Sequence, residues 1–362
     1  MTGSDPFRWT FGYGRDALGQ VSSATDQLPG LRKNYGYNSL NQLTSATTST
    51  RAQTSWSYDG AGNITGMQDI GSGNTTTFGY DSGDNQLTSM QVTGSNPLSE
   101  TYRYNANGDR TGMSGTQSAT YGYNQADELT SFTQGSTSAS YAYNGGGLRT
   151  SKTVNGTAEN YVWDEAEGMP LIIQDESTKY ITGPGGLPVE QVDGSGAVSY
   201  YLQDQLGSTR GLIDGSGNVV GTYEFGAYGN LESHTGASTP FGYAGQYTDA
   251  ESGFQYFRAR YYDRATYQFL SVDPLVNVSE SPYGYAADNP FNITDPSGMI
   301  FGGDTVLGAA IGGIVGTVAG GGSYLVGVAT GQQNFSWRGL GELQPEASSA
   351  AQWLEHAKEH CG

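Results

Sequence analysis

At 362 residues, with 35 Asp and Glu against 16 Lys and Arg and a formal net charge of −19, the chain excludes nucleic acid as a partner, because that affinity rests on basic side chains that neutralise phosphates. Its 56 Gly and 26 Tyr beside few long aliphatic residues suit strands and tight turns better than helices, and 12% aromatics in regular register exclude a disordered polymer. The single cysteine, Cys361, excludes an internal disulfide framework.

The opening residues, MTGSDPFRWTFGYGRD, hold neither a basic region nor an apolar core. The expectation is a chain made in the cytoplasm and exported without a classical signal peptide. Aromatic-x-aromatic pairs then recur: Phe11/Tyr13, Tyr35/Tyr37, Trp56/Tyr58, Phe78/Tyr80, Tyr102/Tyr104, Tyr121/Tyr123, Tyr141/Tyr143 and Tyr161/Trp163. Successive pairs lie roughly 19–24 residues apart, a spacing that signals repeat architecture. The residue after each pair is usually Asp or Asn, as at Asn38, Asp59, Asp81, Asn105, Asn124, Asn144 and Asp164. Period-two rings share one face of a strand, and Asp/Asn followed by Gly, as in Asp59–Gly62, supplies the turn. A second strand follows, as in Leu43-Thr44-Ser45, Leu87-Thr88-Ser89 and Leu129-Thr130-Ser131. One such hairpin is too small to bury its aromatic face, so neighbours must stack. Residues 1–183 read as a continuous ribbon of β-hairpins in an all-β fold.

These units, Tyr58-Asp59-Gly60-Ala61-Gly62-Asn63 and Tyr104-Asn105-Ala106-Asn107-Gly108-Asp109-Arg110 above all, resemble the repeats of the RHS/YD-repeat family. The likeness continues through Tyr201–Leu212, Gly245-Gln246-Tyr247, Arg258–Asp263, Phe269–Pro274, Asn289-Pro290 and Asp295-Pro296-Ser297-Gly298, which together resemble the RHS-associated core domain, here residues 184–299. The resemblance implies a β-ribbon wound into a spiral shell that encloses its own C-terminal peptide and cuts it loose. It also implies a role as a toxin carrier, with a secretion-system or toxin-complex partner and an immunity protein. Complete shells of the family are generally several times longer than this array, so the ribbon is expected to make a turn or two.

Two Asp-Pro pairs, Asp273-Pro274 and Asp295-Pro296, stand just before an abrupt change to a glycine-rich apolar run beginning at Ile300. Two carboxyl groups that share a proton can hydrolyse a peptide bond without a metal. The ionised one activates water and the protonated one donates to the leaving group. By resemblance Asp273 and Asp295 are the acid pair and the cut falls between Met299 and Ile300. Gln268 stands where the family commonly has arginine, so Arg258 or Arg260 would have to take that place. Asp-Pro-Ser-Gly also reads simply as a type I turn, with Pro and Gly in their preferred positions. The tyrosines of 258–264 are expected to pack in the shell, and its arginines to pair with acids or stack on rings.

Residues 300–362 form the variable segment. No charge falls between Thr305 and Thr330, a length that spans a bilayer. Gly308, Gly312, Gly316 and Gly320 at four-residue spacing would line one face of a membrane helix. The alternative is a stored apolar segment or linker. A short helix is expected over 345–360. There His356, His360 and Cys361 supply too few ligands for a metal site, and no cofactor is expected. The leading function is a self-processing carrier, its enzymatic part a one-time aspartic-type cut in cis. The alternatives are a cell-surface repeat protein that binds carbohydrate through exposed tyrosines without cleavage, and a pore-forming C-terminal segment.

Overall fold

The computed structural model describes residues 10–299 apart from 27–29, 50 and 167–168. Among them a single antiparallel meander of 22 strands runs from β1 (Phe11–Arg15) to β22 (Leu231–Gly236), each strand paired with the next. No pairing joins β1 to β22 among the described residues, so the sheet is open rather than a barrel. The hairpin ribbon continues past residue 183 to Gly236.

The repeat follows from its turns. Asp59 accepts the backbone N–H groups of Ala61 and Asn63 on one carboxylate oxygen, both at 2.9 Å, and its carbonyl accepts from Gly62. The fourth turn residue must take a left-handed backbone, φ +88° at Gly62. In the units that end in Leu-Thr-Ser, Asn41 and Asp127 take that place at φ 65° and 57°, and Asn85 takes the equivalent one in a turn one residue longer, at φ 55°. Asx residues tolerate this region better than other side chains, which explains why two turn sequences alternate along one ribbon.

The two rings of each pair have different tasks. The first is buried, as Tyr35, Trp56, Phe78, Tyr102, Tyr121, Tyr141 and Tyr161 all are, and any large aromatic serves. In most pairs the second donates. Tyr37 bonds the Val21 carbonyl at 2.7 Å, Tyr80 that of Ile64 at 2.9 Å, Tyr143 that of Leu129 at 2.6 Å, and the Trp163 indole that of Arg149 at 2.8 Å. These bonds stitch hairpins to the ones before them, whereas the Tyr104 hydroxyl accepts from Arg110 Nε.

The inner face is filled by the chain beyond β22. A small sheet of β23 (Tyr247–Thr248), β24 (Gln255–Phe257), β25 (Arg260–Asp263) and β26 (Gln268–Phe269) leads into loops and one short helix, α1 (Val276–Ser279). Its rings meet those of the ribbon in edge-on or tilted contacts: Phe78 with Tyr267, Tyr104 with Tyr283, Tyr141 with Tyr261, Tyr161 with Tyr247 and Tyr180 with Phe241. Such pairs add to the burial of two large rings.

Candidate active site

Asp273 and Asp295 come from separate loops. Asp273 follows β26. Its backbone N–H donates to the Pro282 carbonyl at 2.8 Å, and one carboxylate oxygen accepts from the Leu275 N–H at 2.8 Å, which opens α1. Asp295 heads the turn Asp295-Pro296-Ser297-Gly298, closed by the Gly298 N–H on the Asp295 carbonyl. Gly298 has φ +75°, and a Cβ there would stand 2.7 Å from the Phe257 carbonyl oxygen. Both Asp-Pro pairs are thus turns, as the plain reading expects, and both carboxylates also point to one place.

That place is the Arg260 guanidinium on β25. Its Nη2 lies 3.4 Å from Asp273 Oδ2 and 3.4 Å from Asp295 Oδ2. Arg260 Nε donates to the Gly298 carbonyl and Nη1 to that of Pro282, while the guanidinium lies 3.7 Å above the Phe269 ring. All three charged side chains are almost fully shielded, at 2% exposure or less. Burial pushes the Arg260 pKa down, and the two aspartates oppose that by favouring its charged form. Two buried acids thus share one buried cation, which pairs the guanidinium and leaves one carboxyl more than the cation can balance.

The chain carrying the expected cut is held here too. The Met299 N–H donates to Asp295 Oδ1 at 2.9 Å and also to the Ser297 hydroxyl oxygen, and Ser297 Oγ donates to the same Asp295 oxygen at 3.1 Å. Met299 is 1% exposed. Ala259 N–H donates to the Ser297 carbonyl. Ser297, Phe269 and the Pro282 carbonyl were not singled out from sequence. Only Ser297 left a signal, a hydroxyl two residues after an aspartate in a turn.

Of the two arginines offered for the position of Gln268, Arg260 reaches both acids. Arg258, at φ 61°, reaches neither. Its Nε donates to the Pro170 carbonyl at 2.7 Å, and Nη1 donates to Gln246 Oε1 and the Pro296 carbonyl, both at 2.8 Å. It clamps the turn from the side, and burial pushes its pKa down to about 10. Gln268 itself is buried, with its Oε1 unpartnered among the described residues. Tyr261 and Tyr262 are core, as expected of the tyrosines of 258–264, whereas Arg264 bonds the Gly253 and Gly229 carbonyls rather than an acid or a ring.

Ile300, Gly308, Gly312, Gly316 and Gly320 lie outside the described residues, as do the expected helix over 345–360 and His356, His360 and Cys361. Among the described residues no helix is long and apolar enough to cross a membrane, and no group of three or more His, Cys, Asp or Glu is placed to hold a metal ion.

Comparison with known proteins agrees with this architecture. The family model of the Teneurin YD-shell matches residues 4–287. Salivary gland surface protein 1 of Aedes aegypti is 37% identical over 149 residues, 40% of this chain and 4% of that protein. The tRNA3(Ser)-specific nuclease WapA of Bacillus spizizenii is 30% identical over 282 residues, 72% of this chain and 12% of that one. The chain therefore spans a small part of the length of these relatives. The crystal structure of TcdB2-TccC3-TEV shares the fold, with a TM-score of 0.55 at 15% identity over 80% of this chain and 18% of that chain.

Proposed function

We propose that this chain, which belongs to the Teneurin YD-shell family, is the end of a toxin-carrying shell that cuts its own C-terminal segment free between Met299 and Ile300. The observation that carries the reading is the convergence of Asp273 and Asp295 on Arg260, with the Met299 N–H hydrogen-bonded to Asp295. Water adds to the Met299 carbonyl as the ionised carboxylate takes its proton. The protonated partner gives a proton to the Ile300 nitrogen as the C–N bond breaks. Arg260 holds both acids in register and anchors the chain through the Gly298 carbonyl. Asp295 is four residues from the bond it would help cut, so catalyst and substrate are one strand and the reaction runs once, in cis.

On this reading residues 184–299 act as the cutting core and 300–362 as the cargo, exported with the carrier, with a delivery complex and an immunity protein as partners. A relative that is a nuclease and matches 72% of this chain supports a carrier of toxic cargo. The inward rings of the repeat count against a carbohydrate-binding surface. Asp273→Asn and Asp295→Asn are each expected to remain full length on a denaturing gel, where the parent chain runs as two pieces. Processing that persists in both variants would remove the pair from the chemistry.

A further inference from the structure

The two acids are delivered by arms anchored on different hairpins. The Asp273 arm is fixed at the turn between β9 (Leu98–Tyr104) and β10 (Arg110–Gly115). The Arg110 N–H donates to the Leu270 carbonyl at 2.8 Å, and the Tyr283 hydroxyl donates to the Gly108 carbonyl at 2.8 Å. Gly108, at φ +88°, is approached so closely that a Cβ would lie 2.4 Å from Val272 Cγ2, and Val272 is the neighbour of Asp273. The Asp295 arm is fixed on β2 (Val21–Asp26), β3 (Leu31–Tyr37) and the turn that follows. Asn292 Oδ1 accepts from the Val21 N–H at 2.8 Å and Asn292 Nδ2 donates to the Tyr37 hydroxyl at 3.1 Å. Phe291 lies 3.8 Å from the Tyr35 ring, and Gln42 Nε2 donates to Asp288 Oδ2 at 3.0 Å.

Between the arms stand Ala286, Ala287 and Asp288, three consecutive non-glycine residues at φ 52°, 48° and 58°. Such backbone persists only where its surroundings hold it. The anchors supply that hold at both ends. The curvature of the ribbon between residue 21 and residue 110 thus sets where each carboxylate arrives.

We propose that Gly108 and Asn292 are positioning residues that couple the acid pair to the winding of the ribbon, so that the site assembles only when the hairpins from β2 to β10 have coiled. This rests on Asp273 and Asp295 being the cutting pair. A misplacement of an ångström can cost about a hundredfold in rate, whereas an ordinary lost contact elsewhere should not touch it.

The test uses the full chain with Asn292→Ala, Gly108→Ala and, as a control of stability alone, Tyr201→Phe, which removes hydrogen bonds to Gln191 and Thr239 and none to either anchor. Cutting is followed by mass, and each variant is compared with the control at matched loss of melting temperature. The expected result is cutting slowed at least roughly tenfold in both anchor variants and unchanged in the control, as misplacement predicts. Equal rates at matched stability would overturn the proposal. If the parent chain does not cut, the reading of the pair fails separately, and amide exchange still decides the anchoring. Asn292→Ala should raise exchange over 295–299 but not 270–275, and Gly108→Ala the reverse. Exchange raised at both stretches, or at neither, would overturn it.

Discussion

Arg260 is the residue on which the site turns. One guanidinium nitrogen serves both acids while a second donates to the backbone ahead of Met299. A lysine carries the same charge as a point on a flexible stem and cannot make these contacts together. Arg260→Lys should keep the fold and slow cutting by roughly a hundredfold, the cost of misplaced reacting groups. Arg260→Leu leaves two buried acids without their cation, which should cost about 3–5 kcal/mol of stability in urea unfolding. A Lys variant that cuts at the parent rate would reduce Arg260 to a counterion.

Asp288 makes a second prediction at this scale. Burial, with Asp59 nearby adding to it and the Gln42 amide opposing, pushes its carboxyl up to about 7, against about 4 in an unfolded chain. Tyr58, Tyr80 and Tyr228 face the same carboxyl and bring no positive charge. Between these pH values the folded chain keeps a proton that the unfolded chain has lost. The contribution to stability is full below about pH 4 and falls away as pH rises toward 7. Asp288→Asn should gain stability relative to the parent as pH climbs through that window, and a difference flat with pH would contradict the assignment.

At the scale of the element, most of the hairpin was legible because it is local. Ring spacing, turn residue and the short second strand are fixed by period-two alternation and by left-handed backbone at one position, and neither needs a distant partner. The preference for a donor in the second ring was also present in the sequence, where Tyr or Trp always stands and Phe never does. Its acceptor, a carbonyl in the preceding hairpin, appears only once hairpins stack. Beyond residue 183 the regular series of ring pairs stops and burial no longer alternates, with Thr209–Leu212 buried in succession and Leu231–Gly236 largely exposed, so the ribbon's extension to Gly236 was not marked. The choice between Arg258 and Arg260 was not legible either. They are two residues apart, and a left-handed Arg258 turns its side chain to the outer flank of the turn.

Turn chemistry gives the element its own test. Gly62 sits at φ +88° with Asp288 Oδ2 3.4 Å from where a Cβ would lie, whereas Gly60 has open space and no positive φ. Gly62→Ala should cost about 1–2 kcal/mol, the penalty of a left-handed alanine, and Gly60→Ala should stay within about 0.5 kcal/mol of the parent. Equal costs in thermal melts would show that the turn is not what holds the repeat.

For the whole molecule, the ribbon and the core depend on each other. The ribbon cannot bury its inner rings alone, and residues 237–299 fill that face while delivering two acids from loops 22 residues apart in sequence. The motif resemblance singled out both acids and the expected junction, but the convergence on one arginine depends on winding and lies beyond any local pattern. The direct test of this account is the intact mass of the purified parent chain. Two species are predicted, one ending at Met299 and one beginning at Ile300, with Asp295→Asn giving one uncut mass. A single uncut parent species across the pH range would contradict it.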